Sequence, residues 1–208
     1  MAELIKHPCV QHKLAIIRDV NTGHKRFREL STEITKFVCY EALKTIQTRE
    51  VTVQTPVAEA RCQKIDTDIV VIPILRAGVG MLEGILELVP TARVGFVGLY
   101  RDEVSKLPVT YYERFPPQIK GGTCIIIDPM LATGGSTLAA IDLLKEKGAD
   151  NIVVVCIVTC PEGIALVEKA HPDVRIYAAA IDDRLNDKKY IVPGLGDAGD
   201  RLFGTSHH

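Results

Sequence analysis

"TCIIIDPMLATGGSTLAAIDLLKEKG", residues 123–148, is the stretch on which the fold turns. Its opening is apolar and β-branched and ends in one acid, Asp128. Its close, from Ser136 on, reads as a helix that stops at Gly148, with Lys145 and Lys147 in the last turn where they suit the helix dipole. A strand that is apolar throughout, a short loop and a helix make one βα unit. The same grammar recurs outward in both directions. Upstream, "DIVVIPIL" (68–75) reads as a strand, "AGVGMLEGILELV" (77–89) as a helix and "RVGFVGLY" (93–100) as a strand. Downstream come the strand "NIVVVCIVT" (151–159), a helix "PEGIALVEKAH" with Pro161 at its first position, and the strand "VRIYAAAI" (174–181). Strands apolar on both faces alternating with helices predict an α/β fold with a parallel sheet flanked by helices. In such sheets ligands bind outside the C-terminal strand ends.

The first third of the chain is different. "RFRELSTEITKFVCYEALKTI" (26–46) carries Phe27, Leu30, Ile34, Phe37 and Val38 at helical spacing. "EVTVQTPVAEARCQKI" (50–65) is extended, β-branched and broken by Pro56, and predicts a hairpin arm projecting from the body. The expected organisation is a single domain with a core over about 66–182. A hood over about 183–206 joins the N-terminal elements, and the β-arm covers about 49–65.

Composition narrows the classes of function. The 208 residues are 47% hydrophobic and 25% charged, ordinary for a globule with a real core. A formal net charge of −1 argues against a protein whose main task is gripping nucleic acid. The start, "MAELIKHPCVQHKL", has no long apolar run, so no secretory leader is expected. No stretch approaches about 18 apolar residues, so no membrane span is expected. Six cysteines make no CxxC pair and read as buried free thiols of a cytoplasmic protein. The terminal "SHH" fits either a native tail or a tag remnant.

Between strand and helix, Asp128 is followed by Pro129, which biases it to an extended backbone. Ala132, Thr133, Gly134, Gly135 and Ser136 then run into the helix. Glycines let backbone approach a ligand, the helix start aims free N–H groups at it, and Thr133, Ser136 and Thr137 add hydroxyls. This describes a site for a phosphate monoester, and Asp128 suits the neutral hydroxyls of a sugar. Together they predict a ribose 5-phosphate cradle; the plainer alternative is a capped helix after a strand. It is not a Walker loop, because no Lys follows the glycines. "GLGDAG" (194–199) matches the dinucleotide fingerprint literally, but no βαβ unit follows it. In "PILRAGVGM" (73–81), Arg76 ends an apolar strand, where a diphosphate or a neighbouring acid would account for it. Arg101 leaves another strand at the head of "YRDEVSKLPVTYYERFPP" (100–117), a long polar stretch that reads as a lid or a surface loop.

Taken together, "HPCVQHKL", "KRFREL", "PILRAGVGM", "GLYRDE", "DPMLATGGS", "CPEG" and "YIVPGLGDAGDRLFGT" resemble the type I phosphoribosyltransferase family. Within it they are similar to the bacterial branch that uses uracil. The resemblance spans nearly the whole chain. It implies that uracil and 5-phosphoribosyl 1-diphosphate give UMP and diphosphate in pyrimidine salvage, with Mg2+ bound through the diphosphate substrate and no dedicated protein metal site. Carried over by position, Asp128, Pro129, Met130, Leu131, Ala132, Thr133, Gly134, Gly135 and Ser136 hold the ribose phosphate. Arg76 and Arg101 meet the diphosphate. Residues 190–200 form a C-terminal hood that reads uracil through backbone around Ile191, Gly196, Asp197 and Ala198, with Asp197 also near the donor and its metal. Arg76, Arg101 and Asp197 are the implied catalytic groups. Many relatives carry a second acid where this chain has Pro129, and Gly where it has Lys189. Thr159 and Cys160 replace small alanines and read as repacking of the core. A homodimer or larger assembly is implied. A regulator that binds RNA through "HKRFR" (24–28) and a purine-nucleotide effector such as GTP are the competing expectations.

Overall fold

The computed structural model describes residues 2–101 and 108–205. In chain order the elements are β1 (Ala2–Leu4), α1 (Pro8–Arg18), α2 (His24–Ala42), β2 (Thr48–Gln54), β3 (Glu59–Ile65), β4 (Ile69–Leu75) and α3 (Val79–Leu86). There follow β5 (Arg93–Val94), β6 (Phe96–Arg101), β7 (Pro108–Arg114), β8 (Thr123–Ile127), β9 (Met130–Leu131), α4 (Gly135–Glu146) and β10 (Asn151–Thr159). The chain closes through α5 (Pro161–Ala170), β11 (Arg175–Ile181), β12 (Arg184–Leu185), β13 (Ile191–Val192) and α6 (Ala198–Phe203).

Among the described residues the main sheet runs in the order β1-β11-β10-β8-β4-β6-β7, with β5 beside β4 and β9 beside β10. Its pairs are parallel except β6 with β7. Alternate residues of the central strands feed two cores. Val71, Ile125, Val153, Val155 and Tyr177 pack on the face covered by α1, α2 and α3. Val70, Ile72, Cys124, Ile126, Val154 and Cys156 pack on the face covered by α4 and α5. This two-sided burial is why the strands are apolar at successive positions. α2 buries Phe27, Leu30, Ile34 and Val38 completely, while Phe37 stays half-buried and stacks on His7 at 5.5 Å.

Several expectations need correcting. "HPCVQHKL" is the start of a helix, with Val10, Leu14 and Ile17 buried at i, i+4 and i+7 and the His7 side chain accepting from Cys9 N–H. "RVGFVGLY" is two strands, β5 and β6, separated at Gly95. The stretch expected to be a long loop contains β7, which pairs antiparallel with β6; its β-branched and aromatic run, Val109 to Tyr112, was the strand signal. The lid reading falls on residues 102–107, outside the described residues. Cys9 and Cys62 are exposed. Burial pushes the thiols of Cys39 and Cys124 up to about 12, and that of Cys156 up as well, so these sit as inert apolar groups. The hairpin β2–β3 pairs in full register from Thr48↔Ile65 to Gln54↔Glu59.

Candidate active site

The order of connections changes direction between β4 and β8. From β4 the chain proceeds outward to β6 and β7; from β8 it proceeds the other way, through β10 to β11. Ligands of open α/β sheets sit at such a switch point, beyond the C-terminal ends of its strands. Here those ends carry Arg76 after β4 and Asp128 after β8, and Pro73 and Ile127 are register partners.

The loop after Asp128 is built for close approach. Gly134 adopts φ +85°, and a side chain there would lie 3.1 Å from Gly163 O on α5. Gly135 points the other way, where an added Cβ would meet only Thr133 Oγ1 at 3.9 Å. The helical ladder of α4 begins with Leu138 N–H donating to Gly134 O at 2.8 Å. The N–H groups of Gly135, Ser136 and Thr137 precede that ladder and have no partner within the helix. They line a cavity of about 90 Å³ together with Asp128, Met130, Ala132, Thr133 and Gly134. A larger groove, about 380 Å³ between Ile5, Phe37, Tyr40 and Leu88, is almost wholly apolar and lacks this anion-binding geometry. Behind the loop, Thr159 Oγ1 donates to Leu131 O at 3.0 Å and Cys160 Sγ donates to Ala132 O at 3.3 Å. Both residues are fully buried, as core repacking predicts, and these bonds also tie the loop to the core.

Asp128 sits half-buried at the cavity floor and accepts a long hydrogen bond, 3.4 Å, from Met130 N–H. Burial pushes its carboxyl up to about 7; the Met130 bond works weakly against that. A sugar hydroxyl donating to Asp128 would favour the ionised form.

Arg76 is exposed over most of its side chain, so the desolvation argument for its position does not hold. It leans toward α6 instead: Nη2 lies 3.6 Å from Asp200 Oδ1, and the guanidinium is 5.9 Å from the centre of the Phe203 ring. An exposed pair this long contributes under about 1 kcal/mol, leaving the guanidinium available to a stronger anion. A methyl group on Gly199 would sit 3.3 Å from Asp197 Oδ1 and 3.7 Å from Arg76 Nη2, so the β4 turn and the hood meet here. Asp197 also caps α6, its Oδ1 accepting from Asp200 N–H at 2.9 Å. Arg101 ends β6, the neighbour of β4, and its side chain lies outside the described residues.

The hood begins with the ribbon β12–β13. Asn186 closes its turn, Oδ1 accepting from Lys188 and Tyr190 N–H at 3.0 Å each. Lys189 sits at φ +67°, the left-handed region glycine favours. Beyond Ile191 the loop passes through Gly194 and Gly196, both at positive φ, into α6. Leu195, Ala198 and Leu202 are buried in the core shared with α2. Sequence reasoning missed the groups that hold this loop: Arg18, Arg28, Asp182 and Arg201. The segment 24–28 is no free basic patch: Lys25 and Arg26 pair with Glu29, Arg26 also with Glu33, and Arg28 donates to Leu202 O.

A mostly parallel sheet flanked by helices, with a glycine loop leading into a helix at its switch point, is the fold of the type I phosphoribosyltransferases. The solved orotate phosphoribosyltransferase of Mycobacterium tuberculosis, in complex with 5-phospho-α-D-ribosyl 1-diphosphate, shares the fold at TM-score 0.52 and 14% identity over 85% of this chain and 91% of that one. The family model "Uracil phosphoribosyltransferase" matches residues 4–205, and the chain belongs to that family. It is 56% identical over 200 residues to uracil phosphoribosyltransferase of Geobacillus kaustophilus, covering 96% of each. It is 53% identical over 206 residues to that of Dictyoglomus thermophilum, covering 99% of this chain and 100% of the other. The solved AQ2163 protein from Aquifex aeolicus is 39% identical, with a TM-score of 0.94 over the full length of both.

Proposed function

We propose that the cleft between the β4 turn, the phosphate loop and the hood transfers the 5-phosphoribosyl group from 5-phosphoribosyl 1-diphosphate to uracil, giving UMP and diphosphate. Membership of the uracil phosphoribosyltransferase family supports the reaction. The observation that carries its placement is the loop of residues 132–137, whose helix-start N–H groups line the small polar cavity beside Asp128.

In this reading the N–H groups of Gly135, Ser136 and Thr137 hold the 5′-phosphate, with the Ser136 and Thr133 hydroxyls beside them. Asp128 accepts from the ribose hydroxyls. Arg76 and Arg101 face the diphosphate, where negative charge grows as the C1–O bond breaks. The backbone around Ile191 and 196–198 matches the acceptor–donor–acceptor edge of uracil. Hydrogen bonds to the ring carbonyls make its N1–H more acidic, so the proton passes to solvent water as N1 bonds to C1 and the C1–O electron pair leaves with the diphosphate. Asp197, an α6 cap beside Arg76, orients the hood against the donor. Asp197 and Asp200 are hard oxygen donors of the kind Mg2+ accepts one or two at a time alongside phosphate oxygens. Held there with the diphosphate, Mg2+ would supply neutralising charge to the leaving group.

A homodimer or larger assembly belongs to the same proposal. The hairpin β2–β3 leaves Val57 93% and Ile65 52% exposed, and a two-stranded ribbon needs other surface to pack on. Among the described residues no helix is long and apolar enough to cross a membrane, and we place the enzyme in the cytoplasm.

The test is diphosphate release with uracil, cytosine, thymine, hypoxanthine and orotate offered in parallel. Uracil alone should support rapid turnover. Equal or faster release with another base would overturn the assignment.

A further inference from the structure

The hood loop is held from behind by a buried ion pair that the proposed chemistry does not use. Arg18, at the end of α1, meets Asp182, the residue after β11, in a fork: Nη2 to Oδ1 at 2.7 Å and Nη1 to Oδ2 at 2.8 Å. The same two side chains take both backbone groups of Gly194. Arg18 Nη1 donates to Gly194 O at 2.8 Å, and Gly194 N–H donates to Asp182 Oδ2 at 2.8 Å. Asp182 is only 7% exposed. Gly194 has no freedom to compensate: at φ +63°, even a Cβ would lie 2.2 Å from Ile191 O. The next peptide is fixed by a second arginine. Arg201 Nη1 donates to Leu195 O at 3.0 Å and Nη2 to Asp19 O at 2.6 Å, with its guanidinium 4.4 Å from the centre of the Phe27 ring.

A buried ion pair is weak support for stability, because desolvation offsets most of its attraction. Its geometry does something a neutral pair would do poorly. One glycine presents a donor and an acceptor to the same pair of side chains, and the carboxylate and guanidinium satisfy both while satisfying each other. The peptide planes on either side of Gly194 are thereby set by α1 and β11. Two residues later the chain reaches Gly196, where base recognition is proposed to begin. Recognition by backbone groups tolerates little error: a displacement of about 1 Å can cost about 100-fold in rate.

We propose that Arg18 and Asp182 are positioning residues for the base: they orient the backbone of 191–198 and thereby set uracil affinity and the discrimination against other pyrimidines. The inference rests on the reading that this backbone holds uracil.

Arg18→Lys keeps the positive charge but cannot reach both Asp182 oxygens and Gly194 O from one planar fork. Asp182→Asn keeps the shape and one acceptor, and serves as the conservative partner should Arg18→Lys fold poorly. In the full-length enzyme, uracil KM for Arg18→Lys should rise at least about tenfold. The preference for uracil over cytosine and thymine should narrow, and donor affinity by calorimetry should stay within about twofold. Asp182→Asn should move the same quantities in the same direction by less. Gly196→Val, made in the hood itself, is the control. If Gly196→Val raises uracil KM while folded Arg18→Lys and Asp182→Asn leave it unchanged, the positioning pair is refuted and the hood reading stands. If Gly196→Val also leaves uracil KM unchanged, the hood does not hold the base and both ideas fall. Parallel losses of uracil and donor affinity in both pair variants would mark general loosening and refute the specific role.

Discussion

The loop after Asp128 and the C-terminal hood, the two regions proposed to meet the ligands, are held in opposite ways. The loop of residues 128–137 is a local object. A strand delivers it, a helix receives it, and its sharpest turn is made by one glycine at positive φ. Its long-range support is limited to hydrogen bonds such as that from Thr159, on a strand already beside it. The hood has almost no local structure of its own: two short ribbon strands and a six-residue helix. Its shape comes from Arg18, Arg28 and Arg201, which reach across 164 to 182 positions of sequence. Substitutions in the loop should therefore act on ligand binding directly, and substitutions around the hood should act through geometry.

Arg76 stands on the turn after β4 against the hood, and its loss should have the largest effect. Arg76→Ala should lower kcat by about 100- to 1,000-fold, the scale of removing one charge-stabilising donor. Its melting temperature should barely move, because the side chain is exposed and its acid contact is long. Near-normal kcat with near-normal donor affinity would detach Arg76 from the diphosphate.

Gly135→Val tests the loop alone. Its side chain enters open space on the ligand side, so UMP affinity should fall about 10- to 100-fold through displaced charge-assisted hydrogen bonds. Gly134→Val should behave differently, losing stability as well: its side chain meets α5, and left-handed backbone costs a non-glycine residue about 1–2 kcal/mol. Calorimetry with UMP beside thermal melting separates the two. Equal melting temperatures for the variants would contradict the opposite orientations of these neighbouring glycines.

Asp128 gives the loop a pH signature. Its folded pKa, about 7, lies above the ordinary carboxylate value, so between those values the folded state holds more protons than the unfolded one. Stability from this group is therefore full below about pH 4 and declines as pH rises to about 7. Asp128→Asn should remove that decline and melt higher than the parent at pH 8, by about 1–3 kcal/mol after allowing for partial solvent access. Urea titrations at pH 5 and pH 8 measure it; a parent whose advantage from this group grew with pH would reverse the sign.

The smallest change falls at the hood's outer turn. Lys189→Gly relieves a left-handed lysine but adds freedom to the unfolded chain, and should stabilise by about 1 kcal/mol or less. Uracil KM should not change. A large change in KM would show that the turn at Asn186 takes part in base recognition.

Much of the fold was legible because its units are self-contained. "DIVVIPIL", "TCIIID" and "NIVVVCIVT" announce strands buried on both faces, and Pro161 and Gly148 mark where helices start and stop. The strand–turn–helix unit around Gly134 was legible for the same reason: strand, glycine turn and helix start lie within fifteen residues of one another. β7 was not, since its exposed tyrosines make an edge strand resemble a loop until β6 is beside it. The arginine at 76 was read as a charge needing a partner at the end of a buried strand; it is exposed instead, because a strand end adjoining a cleft looks from sequence like one adjoining a core.

What the sequence by itself determined is the set of local states: which segments are apolar on two faces, where helices cap, and where backbone must turn through glycine. These depend on neighbours a few residues apart. What only the tertiary structure decided is the company that distant polar residues keep. Arg18 lies in an amphipathic helix and Asp182 after a strand, and either alone is an ordinary charged residue. They become one device because the sheet order brings β11 against α1, and a hydrogen bond acts over about 3 Å of space regardless of the 164 positions of chain between its partners.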